Sequence, residues 1–142
     1  MKIRQISKSG PHRSYSVLLE AGDEVMAALA AFAKDVHLDS AEVTGIGTFS
    51  DACLQYFCTK SKKYVEIPVG EPVEVAAVVG DLEVSERGGA AAHLHVFLGA
   101  RDGAAMAGQL SQAHVGSKLE LNITEAPAYL RRSFAGADLL PV

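Results

Sequence analysis

Two histidines separated by one residue, His93 and His95, are the side chains best suited to chemistry in this sequence. Alternate residues of a β-strand face the same side of a sheet, so an extended segment places both imidazoles side by side and turns Leu94 toward the core. Neutral imidazole is a good ligand for zinc and other borderline transition metals. The pair predicts half of a metal site, although two hydrogen-bonded histidines in a polar pocket or at a subunit interface would show the same pattern.

A zinc site with four ligands needs a further protein ligand, and His114 is the candidate for it. It is expected beyond the end of the strand, in residues 111–116. Gln109 lies in the same region, and its amide is a poor ligand for zinc but a good hydrogen-bond partner. The sequence thus predicts His93, His95 and His114 as metal ligands, with Gln109 lining the pocket.

A glycine-rich segment, residues 45–51, carries a second group of polar side chains. It is not a nucleotide-binding loop, because Ser50 replaces the third glycine of that motif and a strand, not a helix, is expected to follow. We interpret the segment as a tight connection between two strands that needs glycine dihedral angles. Thr48, Ser50 and Asp51 are expected to line a pocket. No nucleophile-elbow motif supports a catalytic Ser-His-Asp set.

The elements that must position these side chains follow from hydrophobic periodicity. Residues 24–36 carry apolar side chains at helical spacing after Asp23, a suitable N-cap residue, and predict an amphipathic helix. Runs rich in β-branched and aromatic residues predict strands at residues 15–20, 41–47, 52–58, 64–68, 73–81, 92–99 and 118–124. One helix among about seven strands is typical of an α+β domain, in which a helix covers one face of an antiparallel or mixed sheet.

Composition limits the class of protein. Of 142 residues, 49% are apolar and 21% charged, which excludes an intrinsically disordered chain and predicts one domain over residues 1–142, with a loose tail at residues 138–142. The longest apolar run, residues 25–33, is far shorter than the ~20 residues of a membrane helix, and the N-terminus lacks the apolar core of a secretory signal. We therefore expect a soluble, cytoplasmic protein without membrane contact.

The charge balance argues against binding to DNA through bulk electrostatics. The chain has 13 Lys and Arg against 17 Asp and Glu, a net charge of −4, whereas a phosphate-binding face needs clustered cations. The basic clusters are Lys60, Lys62 and Lys63, and the pair Arg131 and Arg132. We interpret the lysines as a solvated hairpin tip that lacks the aromatic side chains of single-strand binders.

The sequence resembles the PPC (plant and prokaryote conserved, or PCC) domain family in several motifs. Residues 45–57, GIGTFSDACLQYF, resemble the family's G-x-G-x-x-S-D-A-x-L-x-Y-F stretch. Residues 70–74, GEPVE, resemble its lead into a buried strand. The histidine pair in HLHV, followed by the dipeptide DG, then GQL and finally LE, resembles its H-x-H-V … D-G … G-G-H-L … x-E end. These motifs occur in the family's order over most of the chain.

The resemblance implies a PPC-like fold: a mainly antiparallel sheet of about seven strands flanked by one long and one or more short helices. It also implies a homotrimer, and a metal site near the H-x-H and G-G-H histidines. His93 and His95 match the first motif, but Gln109 stands at the place of the third histidine and Ala107 replaces a glycine. Plant relatives contact DNA through an AT-hook, whose Arg-Gly-Arg-Pro core does not occur in this sequence.

The resulting expectation is a trimeric binding or assembly module of unknown ligand, with weak DNA association and a role in regulation. The alternative is a metal-dependent enzyme that uses one transition metal ion, such as zinc, at His93 and His95. The absence of a nucleophile motif favours the module over the enzyme.

Overall fold

The computed structural model describes residues 1–7, 12–85 and 87–126. These residues form seven strands and one helix: β1 (Lys2–Ser7), β2 (Ser14–Glu20), α1 (Val25–Asp35), β3 (Ser40–Cys58), β4 (Lys63–Val69), β5 (Val73–Val84), β6 (Ala90–Gly99) and β7 (Ala105–Glu125). Arg131, Arg132 and the tail expected at residues 138–142 lie outside the described residues.

The sheet is antiparallel throughout its described pairings and has the strand order β1-β2-β7-β6-β5-β3-β4. A further pairing between β3 and β7 closes β3, β5, β6 and β7 into a circuit. Because the circuit has an inside and an outside, alternate residues on each of its strands face the core or the surroundings.

Strand β7 organises this circuit. One of its edges pairs with β3 from Glu125 to Gln109. Its other edge pairs in turn with β2 (residues 118–124), with a short bridge from Glu24 to His114, and with β6 (residues 105–109). Three separate segments therefore share one hydrogen-bonding edge of a single 21-residue strand.

The helix begins at Val25, one residue later than predicted. Glu24, not Asp23, is the N-cap, and its carboxylate accepts a hydrogen bond from the amide of Ala27 at 2.7 Å. Asp23 instead accepts from the amide of Glu20 at 2.9 Å, which fixes the turn before the helix. Either carboxylate is a suitable cap, and the choice depends on where the β2–α1 turn ends.

The expectation of one long and one or more short helices is wrong for the described part of the chain, which contains a single helix of 11 residues. The reason is the length of the connections. Between β3 and β4 lie residues 59–62, between β4 and β5 residues 70–72, and between β6 and β7 residues 100–104, so these links form turns only.

The core lies between α1 and the inner face of the closed sheet. Val25, Leu29 and Phe32 form the buried stripe of the helix, each 0% exposed. Inward-facing residues of the strands complete the core, among them Val17, Leu19, Val43, Phe49, Leu94, Val96, Leu119, Leu121 and Ile123. Burial of aliphatic side chains at about 25 cal/mol per Å² is the main stabilising term of such a fold.

The strand predictions were too short in two places. Residues 45–51, interpreted as a connection, are the middle of the 19-residue strand β3. Gly45 and Gly47 do not have left-handed φ angles. Glycine is required at these positions because β7 lies so close that a Cβ on Gly47 would stand 2.7 Å from the Cα of Leu119. The last strand, predicted for residues 118–124, begins at Ala105. Strand β1 was not predicted.

An ion pair fastens the end of β7 to the start of β2 and the end of the helix. The Arg13 guanidinium donates to Glu125 at 2.6 and 3.0 Å and to the carbonyl oxygen of Val36 at 2.9 Å. This pairing lowers the pKa of the Glu125 carboxyl. No helix in the described residues has the length and apolar character required to cross a bilayer.

Candidate functional site

Strand β6 presents the two predicted histidines on the outer face of the sheet. Leu94 and Val96 are each 0% exposed, whereas His93 is exposed and His95 half-buried. The two imidazoles therefore share one face, as the alternation of the sequence predicts.

Each histidine has a different cross-strand neighbour. The Nδ1 atom of His93 lies 3.2 Å from a carboxylate oxygen of Asp81 on β5. His95 is in register with Val79 on β5 and with Gln109 on β7. Gln109 is thus the polar side chain beside His95, at the position where the resemblance implies a third histidine.

The third predicted ligand, His114, belongs to another part of the sheet. It lies within β7 rather than beyond a strand, and it is in register with Asp51 on β3. Gln109, the register partner of His95, is five positions away along β7, a span on the order of 15 Å. The chain therefore does not bring His114 to the His93–His95 pair within one protomer.

The contact between His114 and Asp51 is a hydrogen-bonded ion pair. The imidazole Nδ1 lies 2.9 Å from a carboxylate oxygen of Asp51. The carboxylate raises the pKa of His114, and the imidazole lowers the pKa of Asp51. Ser50 donates to the other carboxylate oxygen of Asp51 at 3.2 Å, not to the imidazole, so the three side chains lack the order of a nucleophilic triad.

A zinc site needs a third ligand beside the two imidazoles. In the described ranges, no three His, Cys, Asp or Glu side chains converge in a way that could hold a metal ion. The polar side chain in register with His95 is the amide of Gln109, and amides are poor zinc ligands. Zinc as the metal, and His93, His95 and His114 as its ligands, therefore stay a prediction.

The predicted pocket residues are divided between two places. Thr48 lines an open cleft of about 550 Å³ between the β4–β5 and β6–β7 turns, together with Glu74, Arg101 and Ser117. The Thr48 hydroxyl oxygen accepts from the amide of Ser117 at 2.8 Å. Ser50, Asp51 and Gln109 are not among its lining residues, so their assignment to a pocket stays a prediction.

An apolar patch on the outer face was not found by sequence reasoning. Ile46 on β3, Val79 on β5 and Phe97 on β6 are 59%, 54% and 55% exposed. The alternation in β5 and β6 could have indicated this patch. Val79 and Phe97 are next in sequence to residues that face the core, so they must face outward. Exposed apolar side chains on adjacent strands of one face are typical of an interaction surface.

The two cysteines are free thiols on one strand. Cys53 is buried and Cys58 is half-buried at the end of β3. The Ser61 hydroxyl lowers the pKa of the Cys58 thiol through a hydrogen bond.

Comparison with known proteins assigns the family. The model of the Plants and Prokaryotes Conserved (PCC) domain matches residues 6–127. The chain belongs to this family, the PPC domain proteins. The resemblance seen in the motifs of residues 45–57 and of the His93–His95 segment is confirmed by this match. Among curated proteins, none matches the chain.

Solved structures of PPC proteins have the same fold. A plant- and prokaryote-conserved protein of Pyrococcus horikoshii is 26% identical over 86% of each chain, with a TM-score of 0.77. A "putative DNA-binding protein" of Bacteroides thetaiotaomicron is 28% identical over 84% of this chain and 81% of its own, with a TM-score of 0.72. A protein of Ralstonia eutropha with the same description is 27% identical over 80% of this chain and 78% of its own, with a TM-score of 0.73.

Proposed function

We propose that this PPC domain protein is a binding module that assembles as a homotrimer and associates with DNA in regulation. A cytoplasmic location is part of the proposal. The single observation that carries it is the outer-face patch of Ile46, Val79 and Phe97, whose side chains are more than half exposed.

The patch supports self-assembly because it lies on one face of neighbouring strands. Val79 of β5 is in register with Thr44 of β3 and with His95 of β6, which lie two positions along their strands from Ile46 and Phe97. Burying such a patch against another copy removes apolar surface from water, the dominant favourable term in association. Closed rings of three use a heterologous contact, in which the patch of each copy meets a different surface of the next.

DNA association is supported by the two relatives described as a "putative DNA-binding protein" and is limited by charge. A net charge of −4 repels a phosphate backbone unless the cations are gathered in one place. A module of this kind binds DNA weakly through each protomer and gains affinity by presenting several copies at once.

Light scattering during size-exclusion chromatography tests the assembly. The wild-type protein is expected at three times the mass of 14.9 kDa. Phe97→Asp places a charge in the patch and is expected to give a monomer, whereas Ile6→Asp, at a side chain of similar exposure on β1, is the matched control and is expected to keep the trimer. A monomeric wild type, or a trimeric Phe97→Asp, would contradict the proposal.

The metal-dependent enzyme is the weaker alternative. It would require zinc to bind at His93 and His95 with a water molecule in an open position. Elemental analysis of protein purified without an affinity tag tests it, and less than about 0.2 zinc per chain would remove it.

A further inference from the structure

The end of the β3–β4 hairpin differs from the rest of the sheet. Strand β3 pairs with β7 as far as Gln55, and from there to Cys58 its pairings in the described residues are with β4 alone. Strand β4 is the last strand in the sheet order. Residues 56–65 are therefore a two-stranded ribbon that extends past the closed circuit, and we call this ribbon the arm.

The arm has a defined shape. Its strands are held by the pairs Tyr56–Val65, Phe57–Tyr64 and Cys58–Lys63. The rings of Phe57 and Tyr64 meet edge to face with their centroids 5.1 Å apart. Three paired positions give a length on the order of 10 Å, to which the turn at residues 59–62 adds the tip.

The arm carries charge opposite to that of the body. Residues 56–65 contain three lysines and no acidic residue, a charge of +3. The remaining 132 residues contain 10 Lys and Arg against 17 Asp and Glu, a charge of −7. The arm is thus positively charged although the rest of the chain is acidic.

The three lysines of the arm are available to a partner. Lys60, Lys62 and Lys63 are all exposed, and none forms an ion pair with another described residue. Lys118 and Lys2, by contrast, are paired with Glu120 at 2.7 Å and with Glu20 at 2.9 Å. A cation without a partner carries its full charge to an approaching phosphate.

Aromatic side chains lie beside these cations, although the sequence had suggested that the tip lacks them. Tyr56 is 62% exposed and Tyr64 45% exposed, and Val65 is 51% exposed next to Tyr56. Apolar side chains on a ribbon can contact the methyl group of thymine, and a tyrosine hydroxyl can bond to a phosphate.

We propose that the arm enters the major groove of duplex DNA and that Lys60, Lys62 and Lys63 bind the phosphates along the groove. The groove is about 12 Å wide and about 8.5 Å deep and accepts a two-stranded β-ribbon, and the length of the arm, on the order of 10 Å, is enough to span this depth. This inference rests on the proposed function, since it names the surface through which the module associates with DNA. In the proposed homotrimer, three arms would act together.

The test is the salt dependence of binding to a labelled duplex of about 20 base pairs, measured by fluorescence anisotropy. Each phosphate contact contributes about −0.9 to the slope of log K against log salt concentration, so one arm predicts a slope of about −2.7. Single changes to glutamine at Lys60, Lys62 or Lys63 are expected to reduce the slope by about 0.9 for each arm engaged. Lys118→Gln is the matched control, because it removes an equal charge from an ion-paired site.

The outcomes separate this inference from the proposed function. No binding by the wild-type protein at about 50 mM salt would overturn both. Binding that persists unchanged in the triple variant Lys60→Gln, Lys62→Gln, Lys63→Gln would overturn the assignment to the arm and leave DNA association intact. Tighter binding to a single strand than to the duplex would overturn entry into the groove. An unchanged mass in light scattering shows that the triple variant still folds and assembles.

Discussion

The two faces of β6 place different demands on the same strand. Leu94, Val96 and Leu98 face inward and are at most 1% exposed, whereas His93 and Phe97 face outward and are exposed. The inner residues are part of the hydrophobic core and stabilise the fold. The outer residues contribute little to the fold of one protomer, so their chemistry is free to serve binding. Stability and function are thereby separated between alternate positions of one strand.

The largest effect is expected on the inner face. Leu94→Ala leaves a cavity in the core and is expected to lower the free energy of unfolding by about 2–5 kcal/mol. His93→Ala, on the adjacent outer position, is expected to change it by no more than about 0.5 kcal/mol. Urea denaturation of both variants measures the difference, and equal losses would show that the two faces are not distinct.

A smaller loss is expected where β5 approaches β6, the strand that carries His93 and His95. A Cβ at Gly80 would meet the carbonyl group of His93, 2.9 Å from its carbon, and Cα of Leu94 at the same distance. Gly80→Ala therefore forces β5 and β6 apart and is expected to cost about 1–3 kcal/mol, as overpacking does. Gly70→Ala, where the space is open, is the control in the same denaturation experiment. Equal stability of the two variants would mean that β5 and β6 can move apart at Gly80 without loss of stability.

The outer face can be converted into a metal site. Gln109 is in register with His95, so Gln109→His adds a third imidazole beside the pair. We expect zinc affinity to rise at least tenfold, about 1.4 kcal/mol, in competition with a coloured chelator. Gln55→His is the control, because Gln55 is in register with Gln109 and not with His95. If the affinity of Gln109→His equals that of the wild type, then the three outward positions do not converge.

The smallest effect is expected at the exposed pair of Asp51 and His114. The pKa of His114 is raised above its ordinary value of 6.5, so its contribution to stability is complete below that pH and is lost as pH rises through the raised pKa. The pKa of Asp51 is lowered from 3.8, so its contribution is present above that pH and is lost as pH falls through the lowered pKa. The pair thus stabilises the fold most between about pH 4 and pH 6.5.

Asp51→Asn removes this interaction and is expected to return the pKa of His114 toward its ordinary value. Titration of the His114 ring by NMR measures the change. Asp102→Asn, in the β6–β7 turn, is the control and is expected to leave the raised pKa of His114 unchanged. Because both side chains of the pair are half-exposed, little change in unfolding free energy is expected. A titration of His114 that does not move in Asp51→Asn would contradict the assigned cause.

The fold was predictable where the pattern was strong. The period-two alternation of residues 92–99 gave strand β6 and the shared face of His93 and His95, and the helical spacing of residues 25–36 gave α1. The first half of β7 was missed because residues 105–117 are rich in small and amide side chains with weak periodicity. Their extended form is imposed by pairing with β3, a tertiary effect that local propensity does not contain.

The candidate site was predictable only in part, for a related reason. Neighbours along a strand follow from sequence, but neighbours across strands depend on register. The partners of His114 and His95, namely Asp51 and Gln109, are 63 and 14 positions away in sequence. Gly45 and Gly47 show the same limit, since the close approach of β7 that requires them to be glycine is not visible in their own segment.

The shared edge of β7 has a consequence for how the protein is made. The segments that flank it, β2, residues 22–24 and β6, all leave the ribosome before β7 does, and until then each lacks a backbone partner on one side. Closure of the described sheet therefore waits for β7 to be synthesised, and such late, long-range pairing slows folding. Nascent chains that stop before residue 105 are expected to depend on chaperones, because their unpaired strands can associate with those of other chains.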